Sequence, residues 1–281
     1  MLTKKQVDSF HQDGFLAVRQ VLPADMLHRL QETADQLQEE SRQATETNGV
    51  FDLEPDHSYE NPRLRRISNP VAVRPAFWEV ATCQPVLDCV AALIGENVKF
   101  HHSKLNMKTS KGGSKVGWHQ DFAFFPHTNF DLVACGMPLD PSTAENGCLI
   151  VIPGSHKWPI LDHRDEQREF VGSITEDIDP AKLERAQKLE LDPGDISFHH
   201  SAIIHGSTQN DSADPRRLFI CQYAACDAIT LDHRPLTNEF SERVVRGDPA
   251  THARLAGSIS LPLRGDVGEA RSLFDRQKAK S

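Results

Sequence analysis

The run Val98-Lys-Phe-His-His-Ser-Lys-Leu-Asn-Met-Lys108 is where the pattern of the chain changes. From here apolar and polar residues recur with a period of two, as in a strand with one buried face. Further runs of this kind cover Leu132–Leu139, Cys148–Ile152, Lys188–Leu191, Ile196–His200 and Leu218–Ala224. Turn clusters divide them: Lys111-Gly-Gly-Ser, Ala144-Glu-Asn-Gly, Pro153-Gly-Ser and Asp192-Pro-Gly-Asp. Several short strands separated by tight turns predict an antiparallel sandwich or barrel. Within the opening run, His102, Lys104, Asn106 and Lys108 share one face, which is polar where a barrel interior is ordinarily apolar.

The residues before Val98 read as helices. Thr3-x-x-Gln6 forms a capping box ahead of Val7 and Phe10, and Gly14 is placed to end that helix. Leu27, Leu30, Ala34 and Leu37 mark a second helix over residues 25–41. Residues 42–75, with four prolines, are expected to be irregular, and two short helices follow over 76–82 and 86–93. The fold class is therefore α+β, helices first and strands after. A single domain is expected over 1–281: a mainly helical part to residue 97, a strand-rich core over 98–228 and an extension over 229–281. The last thirty or so residues are read as a terminal helix or a frayed end.

Composition sets limits on function. The chain has 281 residues, with 31 Lys plus Arg against 40 Asp plus Glu, a formal charge of −9. That balance argues against a nucleic-acid or anionic-membrane binder, since either needs a basic face. Apolar runs are too short for a membrane span and the first residues do not resemble a signal peptide, so a cytoplasmic location is expected. Six scattered cysteines without a C-x-x-C pair are expected to be reduced core residues.

Fourteen histidines are the unusual count. Three occur as His-x-Asp: His11-Gln-Asp13, His119-Gln-Asp121 and His163-Arg-Asp165. On a strand, positions i and i+2 present an imidazole and a carboxylate to one ion. His11 lies in a helical segment and His163 in a charged stretch expected to be a solvated loop, which leaves His119 and Asp121. The third ligand is sought among His156, His199, His200 and His205. His205 is preferred because it closes the strand pattern ending in His205-Gly-Ser207 and precedes Arg216 by eleven residues. Two His and one carboxylate occupy one face of an octahedral iron(II) and leave three positions. Two of these suit the keto and carboxylate oxygens of 2-oxoglutarate and one suits O2, while Arg216 is spaced to grip the far carboxylate.

The stretch from His119-Gln-Asp121 through Asn146-Gly-Cys-Leu-Ile-Val-Ile-Pro-Gly-Ser-His156 to His205-Gly-Ser-x-Gln-Asn-x-Ser-x-x-x-Arg216 resembles the phytanoyl-CoA dioxygenase family of iron(II)/2-oxoglutarate oxygenases. Asp13-Gly-Phe-Leu-Ala-Val and Val21-Leu-Pro are similar to that family's opening, so the likeness runs from about residue 8 to 228. It implies a double-stranded β-helix (jelly-roll, cupin-like) core with the N-terminal helices packed on one sheet. It also implies metal ligation by His119, Asp121 and His205, and 2-oxoglutarate binding by Arg216 with Ser207. The strand from His102 is similar to the family segment lining the cosubstrate pocket, which brings in His102 and Lys104. Met137 stands where several members carry Trp, and Arg66 matches a basic residue near the cosubstrate. The activity implied is oxidative decarboxylation of 2-oxoglutarate to succinate and CO2 coupled to substrate hydroxylation. An intact Asp121 argues against halogenation.

Lys104, Lys108, Lys111 and Lys115 on an acidic chain point to a small anionic substrate: a carboxylate, phosphonate or coenzyme A ester. Asn106, Lys108, Phe122 and Phe124 are the substrate-contact candidates. The run Phe122-Ala-Phe-Phe-Pro departs from the one following the metal Asp in ectoine hydroxylases, which speaks against ectoine. Residues 42–75 and 157–187 are expected to form lids beside the barrel mouth. Two other readings stay open: a catalytically silent metal- or ligand-binding jelly roll, and a zinc or manganese hydrolase or isomerase. Monomer and dimer are equally open.

Overall fold

The computed structural model describes residues 1–231 and 238–257. In α1 (Lys4–Asp13) the Thr3 hydroxyl oxygen accepts from the Gln6 N–H while the Gln6 side chain bonds back to the Thr3 backbone. Gly14 then ends the helix at φ +83°, a left-handed conformation that costs glycine no Cβ clash. After β1 (Phe15–Val18), α2 (Ala24–Glu40) buries Leu30, Ala34 and Leu37 on one stripe.

Residues 42–75 are more ordered than their sequence implies. They hold β2 (Phe51–Leu53), β3 (Leu64–Ser68) and a helical turn, α3 (Pro70–Val73). Strands of three and five residues are too short to carry a readable period, and Pro55, Pro62 and Pro70 punctuate them without interrupting them. Next come α4 (Pro75–Ala81) and α5 (Gln84–Ile94), each with Pro in its first turn.

The strand region comprises β4 (Val98–Lys108), β5 (Val116–His119), a single turn α6 (Asp121–Phe124), β6 (Leu132–Pro138) and β7 (Leu149–Val151). It continues with α7 (Pro180–Leu183), β8 (Gln187–Leu189), β9 (Ile196–His200), β10 (His205–Ser207), β11 (Arg216–Ala225) and β12 (Val244–Arg246). Among the described residues, eight strands form one sheet, β1-β9-β6-β11-β4-β3-β2 with β12 also on β4, and four form the second, β5-β10-β7-β8. These antiparallel sheets make the jelly-roll core of an α+β fold. Residues from 258 onward, including most of the expected terminal helix, lie outside the described residues.

Alternation on β11 separates two interiors. Phe219, Cys221 and Tyr223 face the helices, where Phe77 meets Phe219 at 5.0 Å between ring centroids and the Tyr223 hydroxyl donates to the Ala81 carbonyl at 2.7 Å. Each fully buried aromatic of this layer stabilises by about 1.5–3 kcal/mol. Arg216, Leu218 and Ile220 point instead into the space between the sheets. The six cysteines are buried free thiols. Among the described residues, no single helix is long and apolar enough to cross a membrane.

The same parity corrects the reading of Met137. On β6, Ala134 packs with Leu218 and Ile220 on the inter-sheet side, whereas Val133, Cys135 and Met137 belong to the helix-side core. Met137 is fully buried there, opposite Phe219, and cannot contact a ligand between the sheets. The inward neighbour is Gly136, where a Cβ would meet the Ser197 hydroxyl oxygen at 2.7 Å.

Candidate active site

Strand pairing assembles the site. β10 pairs β5 with His205 opposite His119, so two imidazoles sit side by side with ring centroids 4.1 Å apart. Asp121 opens α6 two residues later and faces both. Its Oδ1 lies 3.7 Å from His119 Nε2 and 3.8 Å from His205 Nε2, and the three ligand atoms fall within 4.8 Å of one another.

Each imidazole is braced from behind. The Nδ1 of His119 is 2.8 Å from the Gly117 carbonyl and that of His205 is 3.0 Å from the Ile203 carbonyl. A carbonyl only accepts, so Nδ1 carries the proton and Nε2 presents its lone pair to the cluster. Burial keeps both rings neutral, lowering His119 to about 4 and His205 well below its ordinary value. Burial alone would raise the Asp121 carboxyl, but Lys104 above all, with the facing histidines, holds it well below the usual range. Neutral imidazoles and an ionised carboxylate are what a divalent cation requires.

The cavity beside this triad is lined by Arg66, Lys104, Asn106, His199, Ser207 and Arg216, among others. Arg216 is 2% exposed. One guanidinium nitrogen, Nη2, donates to the Gly147 carbonyl at 2.6 Å, while Nε and Nη1 have no partner. Burial lowers its pKa only to about 10, so it stays charged at neutral pH. Gly147 is required here: at φ +80° its carbonyl turns to the guanidinium, and a Cβ would meet the Thr208 carbonyl oxygen at 2.6 Å. A buried cation with an unsatisfied donor on each edge of its fork, each edge shared with Nη2, fits the end of a dicarboxylate.

The lysines separate. Lys104 is in the cavity wall, whereas Lys111 and Lys115 are exposed. Lys108 lies behind Arg216, its Nζ donating to the Ser114 carbonyl at 2.7 Å and to the Thr208 carbonyl. Burial drops its pKa to about 6, and it secures the β4–β5 connection without reaching the cavity. His102 shares the inward face but lies outside the cavity wall, its ring 4.6 Å from Phe125. Phe122 packs into an apolar cluster with Phe130 at 4.3 Å and faces away, because α6 turns alternate side chains outward. Phe124 remains by the metal side, its ring 5.8 Å from His119.

Among the other third-ligand candidates, His156 and His200 stack on one another toward α1, at 5.0 Å. His199 is different: its Nε2 is 3.6 Å from Asp121 Oδ2, the oxygen that the triad imidazoles do not face, and its ring is 4.5 Å from that of His205.

His163 overturns the expectation of a solvated loop. It is 1% exposed, with Nδ1 on the Leu161 carbonyl at 2.8 Å and Nε2 accepting the Gln120 backbone N–H at 3.1 Å. Gln120 lies between the two ligands of β5–α6, is fully buried, and its side chain bonds to the Leu161 N–H and the Ala202 carbonyl. The 157–187 stretch is thus anchored to the metal loop, and Phe170 from it packs on Phe124 at 4.9 Å. Charged neighbours in sequence hid this, because the ring turns inward from them. Replacing His163 with alanine is expected to strand the Gln120 N–H and weaken metal affinity about 10-fold, the lower end of outer-shell losses, while His163→Gln, whose amide oxygen can accept, recovers most of it. Anaerobic cobalt titration of the metal-free protein measures this; an alanine variant within two-fold of wild type rules the brace out.

The fold and this pocket define the class: a jelly roll that sets two imidazoles and a carboxylate beside a buried, charged arginine. The phytanoyl-CoA dioxygenase family model matches residues 10–218, and the chain belongs to that family. It is a non-haem iron(II)- and 2-oxoglutarate-dependent dioxygenase acting on a small molecule. A probable alpha-ketoglutarate-dependent hypophosphite dioxygenase of Stutzerimonas stutzeri is 30% identical over 256 residues, covering 89% of this chain and 87% of that protein. A methylphosphonate hydroxylase of Gimesia maris is 26% identical over 228 residues, covering 80% and 81%. The crystal structure of EctD from S. alaskensis with bound Fe aligns with a TM-score of 0.69 at 24% identity, covering 93% of this chain and 89% of that one, a likeness of fold.

Proposed function

We propose that this enzyme hydroxylates a small oxyanionic metabolite, with His119, Asp121 and His205 holding the iron and Arg216 gripping the far carboxylate of 2-oxoglutarate beside Ser207 and Asn106. Iron, when bound, supplies the redox chemistry by which O2 and 2-oxoglutarate become succinate, CO2 and an oxidised substrate. The residues do the rest: they orient two anions, fix the protonation of the ligands and keep water out. The observation that carries the reading is the buried Arg216 with Nε and Nη1 unsatisfied in the cavity that holds the triad. That arginine has no evident task in a hydrolase or isomerase, and a silent metal-binding relative would be free to lose it.

Lys104 and Arg66 supply two further cations to the same cavity wall. Arg66 is 3.7 Å from the Asp52 carboxylate, so Lys104 is the wall cation offered to a second anion, and the relatives named for hypophosphite and methylphosphonate fit that chemistry. We assign the whole chain to one domain, with 1–97 mainly helical, 98–228 the core and 229–281 an extension, working in the cytoplasm without nucleic acid or membrane as partner. Succinate release is the test. Phosphonates and phosphorus oxyanions are expected to stimulate it over the substrate-free rate, ahead of carboxylates and coenzyme A esters. Stimulation by uncharged compounds alone would defeat the anionic reading.

A further inference from the structure

We propose that the protein carries a second metal site, formed by His101, His127 and Glu242, that takes a zinc-like divalent cation. One ligand atom from each of the three lies within 4.8 Å of the others. Two imidazole nitrogens and one carboxylate oxygen are a donor set that zinc accepts, with a fourth position left for water.

A bulge in β4 creates the cluster. On β11, Gln222 opposes His102 and Tyr223 opposes Phe100, so His101 is an extra residue without a ladder partner. Its insertion switches the parity of the strand: Val98 and Phe100 face the helices before it, Leu105 and Met107 after it. His101 and His102 are thereby brought Nδ1 to Nδ1 at 2.7 Å, an arrangement that leaves His101 Nε2 for another contact.

His127 supplies the second observation. Four buried histidines have Nδ1 against the carbonyl two residues earlier: His119, His127, His163 and His205. In three of them Nε2 has a use, toward Asp121 or as acceptor for the Gln120 N–H. In His127 it has none. The residue is 0% exposed, its Nδ1–H donates to the Phe125 carbonyl at 2.9 Å, and Nε2 is buried without a partner. Leaving such an acceptor unsatisfied is costly, and an ion there would remove that cost. Burial also keeps both rings neutral and ready to ligate, lowering His101 and His127.

Glu242 closes the site from the solvent side. Its N–H donates to the Phe100 carbonyl at 2.8 Å and its backbone is held at φ +66°, a left-handed conformation uncommon outside glycine. The carboxylate is 42% exposed, giving the ion access. Lys99 contacts Oε2 of the same carboxylate. Its ammonium competes with a cation by charge, so the site is weaker than the donor set alone would make it. A bound ion would tie the segment carrying Glu242 to β4, beside the Phe125 ring that stacks on His102.

Metal counting tests this on the full chain. Metal-free protein saturated with zinc, freed of excess by gel filtration and measured by plasma mass spectrometry, is expected to hold two ions per chain. Glu242→Gln, at the surface and outside the oxygenase site, holds one, as does His127→Gln. His205→Ala also holds one, and Glu242→Gln/His205→Ala holds none. Lys99→Gln tightens the second ion several-fold by removing the competing ammonium. One ion in the wild type, two retained in both Glu242→Gln and His127→Gln, or an unchanged affinity in Lys99→Gln overturns the proposal.

Discussion

Replacement of His205 by alanine is expected to lower 2-oxoglutarate turnover by about three orders of magnitude, well beyond the 10–100-fold that outer-shell substitutions cost. The argument turns on a competition between two neighbouring rings. His199 Nε2 stands 3.6 Å from Asp121 and His205 Nε2 stands 3.8 Å from it, so distance alone does not choose. Direction does. His119 and His205 both address Oδ1, each with its proton committed to a backbone carbonyl, whereas His199 addresses Oδ2, its Nδ1 has no partner, and it falls outside the group of converging ligand atoms. Three lone pairs therefore converge on one point only when His205 is included. His199→Ala should retain measurable turnover and full metal stoichiometry at that site. Anaerobic iron binding and succinate release, measured on both variants, decide the matter, and loss of iron in His199→Ala with retention in His205→Ala would reverse the assignment.

The metal triplet was legible because its signals are local. His119-Gln-Asp121 is a two-residue spacing, and His205-Gly-Ser207 with Arg216 is a short reach between consecutive strands, one in each sheet. The inward face of β4 from His102 was equally readable, since a strict period of two needs no tertiary knowledge. What stayed hidden depends on where elements meet. A period assigns residues to one of two faces but does not say which face looks between the sheets; Met137 is matched to the family's Trp by resemblance alone, and pairing with β11 puts it on the helix side. His163 read as solvated because its neighbours are charged, yet the ring reaches back to a backbone N–H more than forty positions away. The bulge at His101 is invisible for a related reason: both neighbouring segments keep a period of two, and only pairing with β11 reveals the inserted residue. Lys108 shows the limit of face assignments, being on the correct face but beyond Arg216, where it serves the fold.

Arg216→Ala is expected to raise the concentration of 2-oxoglutarate needed for half-saturation by roughly 30-fold to several thousand-fold, the 2–5 kcal/mol that follows from removing one partner of a buried, hydrogen-bonded charge pair. The guanidinium is fixed before any ligand arrives: Nη2 is committed to the Gly147 carbonyl, and the glycine's left-handed backbone aims that carbonyl. Nε and Nη1 remain, and either can pair with the second N–H of Nη2, which shares an edge of the fork with each, to meet a carboxylate with two parallel bonds. Arg216→Lys keeps the charge but offers a point donor in place of a fork, so it should recover only part of the loss. Lys108 cannot compensate, because its Nζ is held by the Ser114 and Thr208 carbonyls behind Arg216. Metal affinity is the control that separates this role from a structural one. Cobalt binding to the metal-free Arg216→Ala protein should match wild type within about three-fold, since Arg216 adds a repelling charge to the cavity and no ligand atom. If both variants keep wild-type saturation by 2-oxoglutarate, the cosubstrate's far carboxylate is held elsewhere, and Lys104 and Arg66, the remaining cations of that wall, become the groups to replace.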